Sequence, residues 1–216
     1  MKNNIKLLLI CILCTIKGIA QSSKSILNFP NAFIYEVGNG IEKSEIWIYH
    51  NPQTGQFLYV PNDDMVKAVL GTPEGIYTIF TETEKGEKTA IKQKIYQVLE
   101  KSDKHKLLKS INQTKKIDGS QGQIIAKGFT LSYLKSAEVD TLFLSTQIFG
   151  NANVLYGFSL LEGDIKLPHT FNLCGLVPKN QFITHYFSKY SSVKLLTYEN
   201  NPYQFEVKHY KFKQVK

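Results

Sequence analysis

The sequence contains no arginine: all 26 of its basic residues are lysine. That removes the forked donor that reads guanine edges and grips phosphate in two places, so a formal charge of +8 does not point to nucleic acid as a partner. Cysteine is almost as scarce, with 3 in 216 residues. Cys11 and Cys14 fall in the expected signal peptide, residues 1–20, so its removal leaves Cys174 alone in the mature chain and no internal disulfide is expected. Its neighbours Phe171, Leu173, Leu176 and Val177 mark it as a small buried hydrophobe rather than a reactive thiol. The five histidines, His50, His105, His169, His185 and His209, are far apart, and none belongs to a two-histidine helical metal motif. There is no Gly-x-Ser-x-Gly elbow and no three-glycine phosphate loop. Asp63-Asp64 follows Pro61-Asn62 and reads as turn chemistry rather than as a calcium loop or a glycosidase pair. No catalytic residue, metal ligand or cofactor site is therefore assigned.

The first residues carry a targeting pattern. Lys2 and Lys6 precede the apolar stretch Leu7 to Cys14, and Gly18-Ile19-Ala20 places small residues before a cut between Ala20 and Gln21. Residues 1–20 are expected to be a signal peptide, too short in its apolar part to span a bilayer, and residues 21–216 to form one exported β-rich domain. The expected location is the periplasm or cell envelope, or the extracellular space. Without Lys2, Lys6 and Lys17 the basic count falls from 26 to 23 against 18 acids, a net charge of +5.

The stretch Ser44 to Glu82 gives the fold class. Four short runs rich in Ile, Val, Tyr and Phe (Glu45 to His50, Phe57 to Val60, Met65 to Leu70, Ile76 to Thr81) alternate with turn segments built on Asn51-Pro52, Pro61-Asn62 and Gly71-Thr72-Pro73, the pattern of an antiparallel meander. Ala32 to Val37 precedes them as a further strand. In Glu45 to His50, Ile46 and Ile48 fall on one face and Trp47 and Tyr49 on the other. Large side chains on both faces need cover on both, from the chain itself or from an apolar ligand. Phe80 in the fourth run, and Phe129 and Tyr133 on the dry face of a later strand, join these four as candidate ligand-binding residues. Strands are also predicted over Thr141 to Ile148, Val154 to Leu161, Gln181 to Phe187, Val193 to Tyr198 and Tyr203 to Phe212, with Glu199 to Pro202 as a break.

Between the two groups of strands the periodicity changes. Ile91, Ile95, Val98 and Leu99, continued by Leu107, Leu108 and Ile111, follow a helical stripe, so a helical insertion is expected near residues 90–112. From Lys85 to Lys116 there are ten lysines against Glu87, Glu100 and Asp103. Lys92, Lys94, Lys101, Lys104, Lys106 and Lys109 are the candidate contacts to an acidic protein or an anionic membrane surface. Asn112-Gln113-Thr114 matches a glycosylation acceptor.

The order of a signal peptide, the aromatic-rich Glu45-Ile46-Trp47-Ile48-Tyr49, then Gln56 to Val60, Asp64 to Val69 and Gly75-Ile76-Tyr77, resembles the periplasmic lipoprotein-carrier family. The resemblance is one of element order over Ala32 to Leu161 and carries over no functional residue. It implies a curved antiparallel sheet or unclosed β-barrel, plugged by helices, whose apolar concave face holds acyl chains. The leading expectation is thus a non-enzymatic envelope protein that binds a lipid or other hydrophobic ligand in an apolar cavity. An interaction subunit using the Lys85 to Lys116 face is the alternative, and a hydrolase of unknown class the third reading.

Overall fold

The computed structural model describes residues 25–94, 105–120, 122–133, 137–148, 154–161 and 181–214. The expected signal peptide, the loop around Cys174, and His169 lie outside them. Among the described residues the protein is mainly β, a single sheet of twelve strands. In chain order these are β1 (Ile26–Gly38), β2 (Lys43–His50), β3 (Phe57–Tyr59), β4 (Val66–Gly71), β5 (Ile76–Glu82), β6 (Lys88–Lys94), β7 (His105–Gly119), β8 (Gly122–Tyr133), β9 (Val139–Ser145), β10 (Phe182–Phe187), β11 (Ser192–Glu206) and β12 (Lys211–Gln214). Their spatial order is β12-β6-β5-β4-β3-β2-β1-β11-β10-β9-β8-β7. Neighbours are antiparallel except β12, which runs parallel to β6.

The expected meander is present as β2 to β5, and its turns use the residues that signalled them. Gly55 (φ 68°) donates its N–H to the Asn51 carbonyl at 2.8 Å, and Asn51 Oδ1 accepts from the amides of Gln53 and Thr54. Asp63 Oδ1 likewise accepts from Val66 and Met65, at 2.6 and 2.8 Å, and these bonds hold its carboxyl below the usual range. Asp63 is therefore a turn residue.

The helical insertion is corrected where the chain is described. Lys88–Lys94 is β6, paired with β5 so that Ala90, fully buried, lies opposite Phe80. His105–Gly119 is β7, paired with β8. The helical spacing of Ile91 and Ile95 competes with a period-two pattern around Ala90, and pairing along a whole strand outweighs a weak local preference. Residues 95–104 lie outside the described residues. Val154 to Leu161, expected as a strand, instead forms the helix α1 (Tyr156–Leu161). Leu155 and Phe158 are three apart and both buried, and Phe158 meets Tyr59 edge-on at 5.7 Å. Gly157 lets this turn approach, because a Cβ there would stand 3.0 Å from Val69 Cβ.

β1 and β11 form the spine. Both are longer than expected, and the predicted break at Glu199 to Pro202 is only a change of register between the pairs Phe29↔Tyr203 and Asn31↔Asn200. Pro30 and Pro202 both fall in that irregularity, where a missing N–H costs no ladder bond. A second shift, between Ile34↔Thr197 and Tyr35↔Leu195, leaves Leu196 unpaired and 45% exposed.

The first half of the sheet is strongly curved. Only Val207–Tyr210 separate β11, at one flank of β1–β6, from β12 at the other. Laid flat, the two would stand about 34 Å apart at ~4.8 Å per strand, whereas that link reaches about 19 Å. The sheet bends to bring its flanks together, and Phe80 of β5 meets Phe205 of β11 and Tyr210 at 4.9 Å each. Two cores result, one on each side. Phe29, Leu58, Ala68, Leu70, Phe80, Ala90 and Phe205 fill the inside of the bend. On the other face, Phe33, Tyr35, Ile48, Phe57 and Tyr77 pack against α1 and strands β7 to β11. Tyr35 ties the halves together by donating to the Ile183 carbonyl at 2.7 Å, and burial pushes its phenol pKa up.

Candidate partner-binding face

The seven residues expected to line one apolar site are divided by the sheet. Ile46 and Ile48 belong to the core under β7 to β11, and Phe129 packs at its margin. Phe80 belongs to the core inside the bend, with Tyr49 at its edge stacked on Tyr203 at 4.2 Å. Trp47 is half-buried on the Tyr49 side of β2, its indole N–H donating to Glu45 Oε1 at 2.7 Å. Tyr133 ends β8, and its side chain lies outside what is described. These residues are thus brought together in groups on opposite sides of one sheet.

The lysines are redistributed as well. Lys92 and Lys94 lie on β6, close to one end of the strand order, whereas Lys106 and Lys109 lie on β7 at the other. Lys101 and Lys104 lie outside the described residues. A different set converges on the β7–β8 hairpin. Lys116 stands opposite Ile125 and Thr114 opposite Lys127, which places Lys116 and Lys127 together on the outer face of the ribbon, whereas Lys109, opposite Thr130 and beyond the β7 bulge, is exposed on the other face. Lys127 escaped the sequence argument because it falls beyond the lysine-dense segment. Ile124-Ile125-Ala126-Lys127 shows no apolar–polar alternation in the sequence, and only the structure reveals Ile125 and Lys127 exposed with Ile124 and Ala126 buried.

Electrostatically this ribbon is unbalanced. Among the described residues the ion pairs are Glu36 with Lys43 at 3.2 Å and Lys194 at 3.1 Å, and Glu82 with Lys88 at 3.7 Å. None involves Lys109, Lys115, Lys116 or Lys127. Lys115, on the inner face, reaches over the Phe143 ring at 5.6 Å. Residues Asn112 to Lys116 are five consecutive exposed positions, so neither side of β7 is covered there. The ribbon is nonetheless held firmly at two points. Ile111 to Gln113 bulge opposite Gly128, where a Cβ would stand 3.0 Å from Ile111 and 3.1 Å from Phe143. At the tip, Ser120 donates to the Tyr198 carbonyl through its amide at 2.9 Å and its hydroxyl at 3.3 Å.

The buried titratable groups read as structural. Asn31 Nδ2 donates to Tyr198 Oη at 2.7 Å, and His50 Nδ1 lies 2.9 Å from the same oxygen, all three side chains being buried. Tyr186 donates to Asp140 at 2.5 Å. Among the described residues no three His, Cys, Asp or Glu side chains are close enough to hold a metal ion.

His185 is buried beside the Phe143 and Phe187 rings, with Nδ1 3.1 Å from Thr184 Oγ1. Desolvation first, then the charges of Lys115 and Lys194, lower its pKa to about 4. The fold therefore favours the neutral ring. Stability is full above the ordinary histidine pKa of 6.5 and declines as pH falls towards 4. The expected loss is about 2 kcal/mol, allowing for the ring's residual contact with water. Denaturant melts at pH 7 and pH 4 measure it, and His185→Gln should remove that share of the decline. An identical pH profile in the variant refutes the assignment.

No family model matches the chain, and no curated protein does. Among solved structures it is similar to PNGF-II, with a TM-score of 0.46 and 11% identity, covering 86% of this chain and 30% of that one. The chain thus spans under a third of that protein's length, and a likeness of that degree carries no argument.

Proposed function

We propose that this chain is a non-enzymatic interaction subunit of the cell envelope that docks on an acidic partner protein through the β7–β8 ribbon. The observation that supports this reading is the outer-face pair Lys116 and Lys127, with Lys109 exposed further along β7, on a braced hairpin with no carboxylate paired to these lysines among the described residues. Fixed lysines of one sign steer an oppositely charged surface and lose little entropy of backbone ordering on contact. The N-terminal targeting pattern supports the location. Pull-down from envelope extract at low and high salt tests the reading, comparing the native protein with a Lys109→Ser, Lys116→Ser, Lys127→Ser variant. An acidic partner should be retained at low salt and lost both at high salt and by the variant. Equal retention by the variant overturns the proposal.

The carrier reading has a different observation in its favour, the bend of β1–β6, a curved sheet of the kind the element-order resemblance implies, although side chains of this chain fill its inside. Native mass spectrometry of detergent-free protein should then detect a bound amphiphile, and a clean apo mass with no uptake of fatty-acid probes counts against it.

A further inference from the structure

The lysines on the ribbon accompany a second feature, a sheet edge with no further strand paired to it among the described residues. Among the described residues β7 is the terminal strand of the spatial order, fifteen residues long, and Thr114–Lys116, the exposed residues past its bulge, have β8 as their ladder partner on one side only. A terminal strand presents a row of amides and carbonyls that another chain can pair with. Bulges and lysines ordinarily blunt such edges against apolar strands and against copies of the same chain, and both are present here. Two copies of β7 side by side would oppose Lys115 and Lys116 to one another, so self-pairing is disfavoured. The same lysines admit a strand of opposite charge. Lys116 projects on the outer face and Lys115 on the inner, so an incoming strand meets a cation whichever way its acids point. On the β8 side of the outer face, Lys127 adds a third cation beside Thr114.

We infer that an extended acidic segment of the partner protein adds to the sheet beside β7 over Thr114–Lys116, past the bulge, as a further strand. Main-chain hydrogen bonds would fix its direction and register, and carboxylates at alternate positions would meet Lys116 on one face and Lys115 on the other. The brace at Ser120–Tyr198 keeps the edge in place before binding, so the ordering cost falls mainly on the incoming segment. This inference rests on the acidic-partner reading above and specifies its geometry.

The test uses the full chain and a short synthetic peptide alternating glutamate with valine, alongside the same peptide N-methylated at every second residue. Methylation keeps the charge and removes one edge of hydrogen-bond donors. Binding is followed by fluorescence anisotropy, and hydrogen exchange reports on the β7 amides. The expected result is that methylation weakens binding by at least about tenfold, that both peptides weaken with salt, and that the plain peptide slows exchange over residues 114–116. Lys115→Ser with Lys116→Ser should weaken the plain peptide by about tenfold as well. Equal, salt-sensitive binding of both peptides refutes strand addition while leaving the lysine surface as the docking site. Absence of binding by either peptide, or binding confined to phosphatidylglycerol vesicles, overturns both proposals.

Discussion

Phe33→Ala is expected to lower the unfolding free energy by about 4 kcal/mol, a large share of what a domain of this size has. Phe33 is 1% exposed on β1, the strand both halves of the sheet share. Its ring lies 4.8 Å from Tyr198, 4.9 Å from His50, 5.3 Å from Phe182 and 6.1 Å from Tyr35. Truncation would open a cavity among rings on β1, β2, β10 and β11 at once, and those strands cannot collapse into it without breaking ladders on both sides. The vacated space would also border the hydroxyl of Tyr198, whose partners Asn31 and His50 depend on the same packing. Phe33→Leu keeps most of the volume and should cost under about 1.5 kcal/mol. Chemical denaturation followed by tyrosine fluorescence and by circular dichroism measures both variants. A loss below about 1 kcal/mol for the alanine variant would show that the ring cluster does not hold the halves together.

The contrast between what could be read from the chain and what could not has one physical origin. Turns are local. Asn51, Asp63 and Gly55 carry their hydrogen bonds and dihedrals within a few residues, so the meander from β2 to β5 was legible to within a residue or two. Strand alternation is local too, and it placed Ile46 and Ile48 opposite Trp47 and Tyr49 correctly. Which strand lies beside which is a long-range choice. Consecutive strands pair in most cases, yet β6 and β7 stand near opposite ends of the order, and β12 returns to pair in parallel with β6. No spacing in Lys88 to Lys116 records that separation.

The candidate site suffered for the same reason. Ten lysines close in sequence looked like one surface, but a surface is defined by neighbours across strands, and Lys127 of β8 is nearer to Lys116 than Lys92 is. The aromatic residues misled in another way. Ile48 and Phe80 have the same composition signal, and only the bend of the sheet decides that one packs under α1 and β7 to β11 while the other packs inside the curve.

Gly71→Ala is the second large effect, and it isolates one contact. Gly71 ends β4 directly opposite Phe57 of β3, and a Cβ built on it would lie inside the Phe57 ring. Phe57 is 2% exposed and set edge-on to Tyr77 at 6.0 Å, so its ring has no free space to turn into. Gly71 is not among the positive-φ glycines, which are Gly40, Gly55, Gly75, Gly86 and Gly122. Alanine there pays no backbone strain and, by restricting the unfolded chain, would otherwise stabilise by about 0.4–1 kcal/mol. Steric overlap alone sets the sign, and the net loss is expected to reach about 3 kcal/mol. Phe57→Leu shortens the opposing side chain, so the double variant should be more stable than the sum of the two single losses implies, by about 1 kcal/mol or more. Additive losses would mean that something other than the Phe57 ring requires glycine at position 71, and a near-neutral Gly71→Ala would mean that β3 and β4 are looser than their burial indicates.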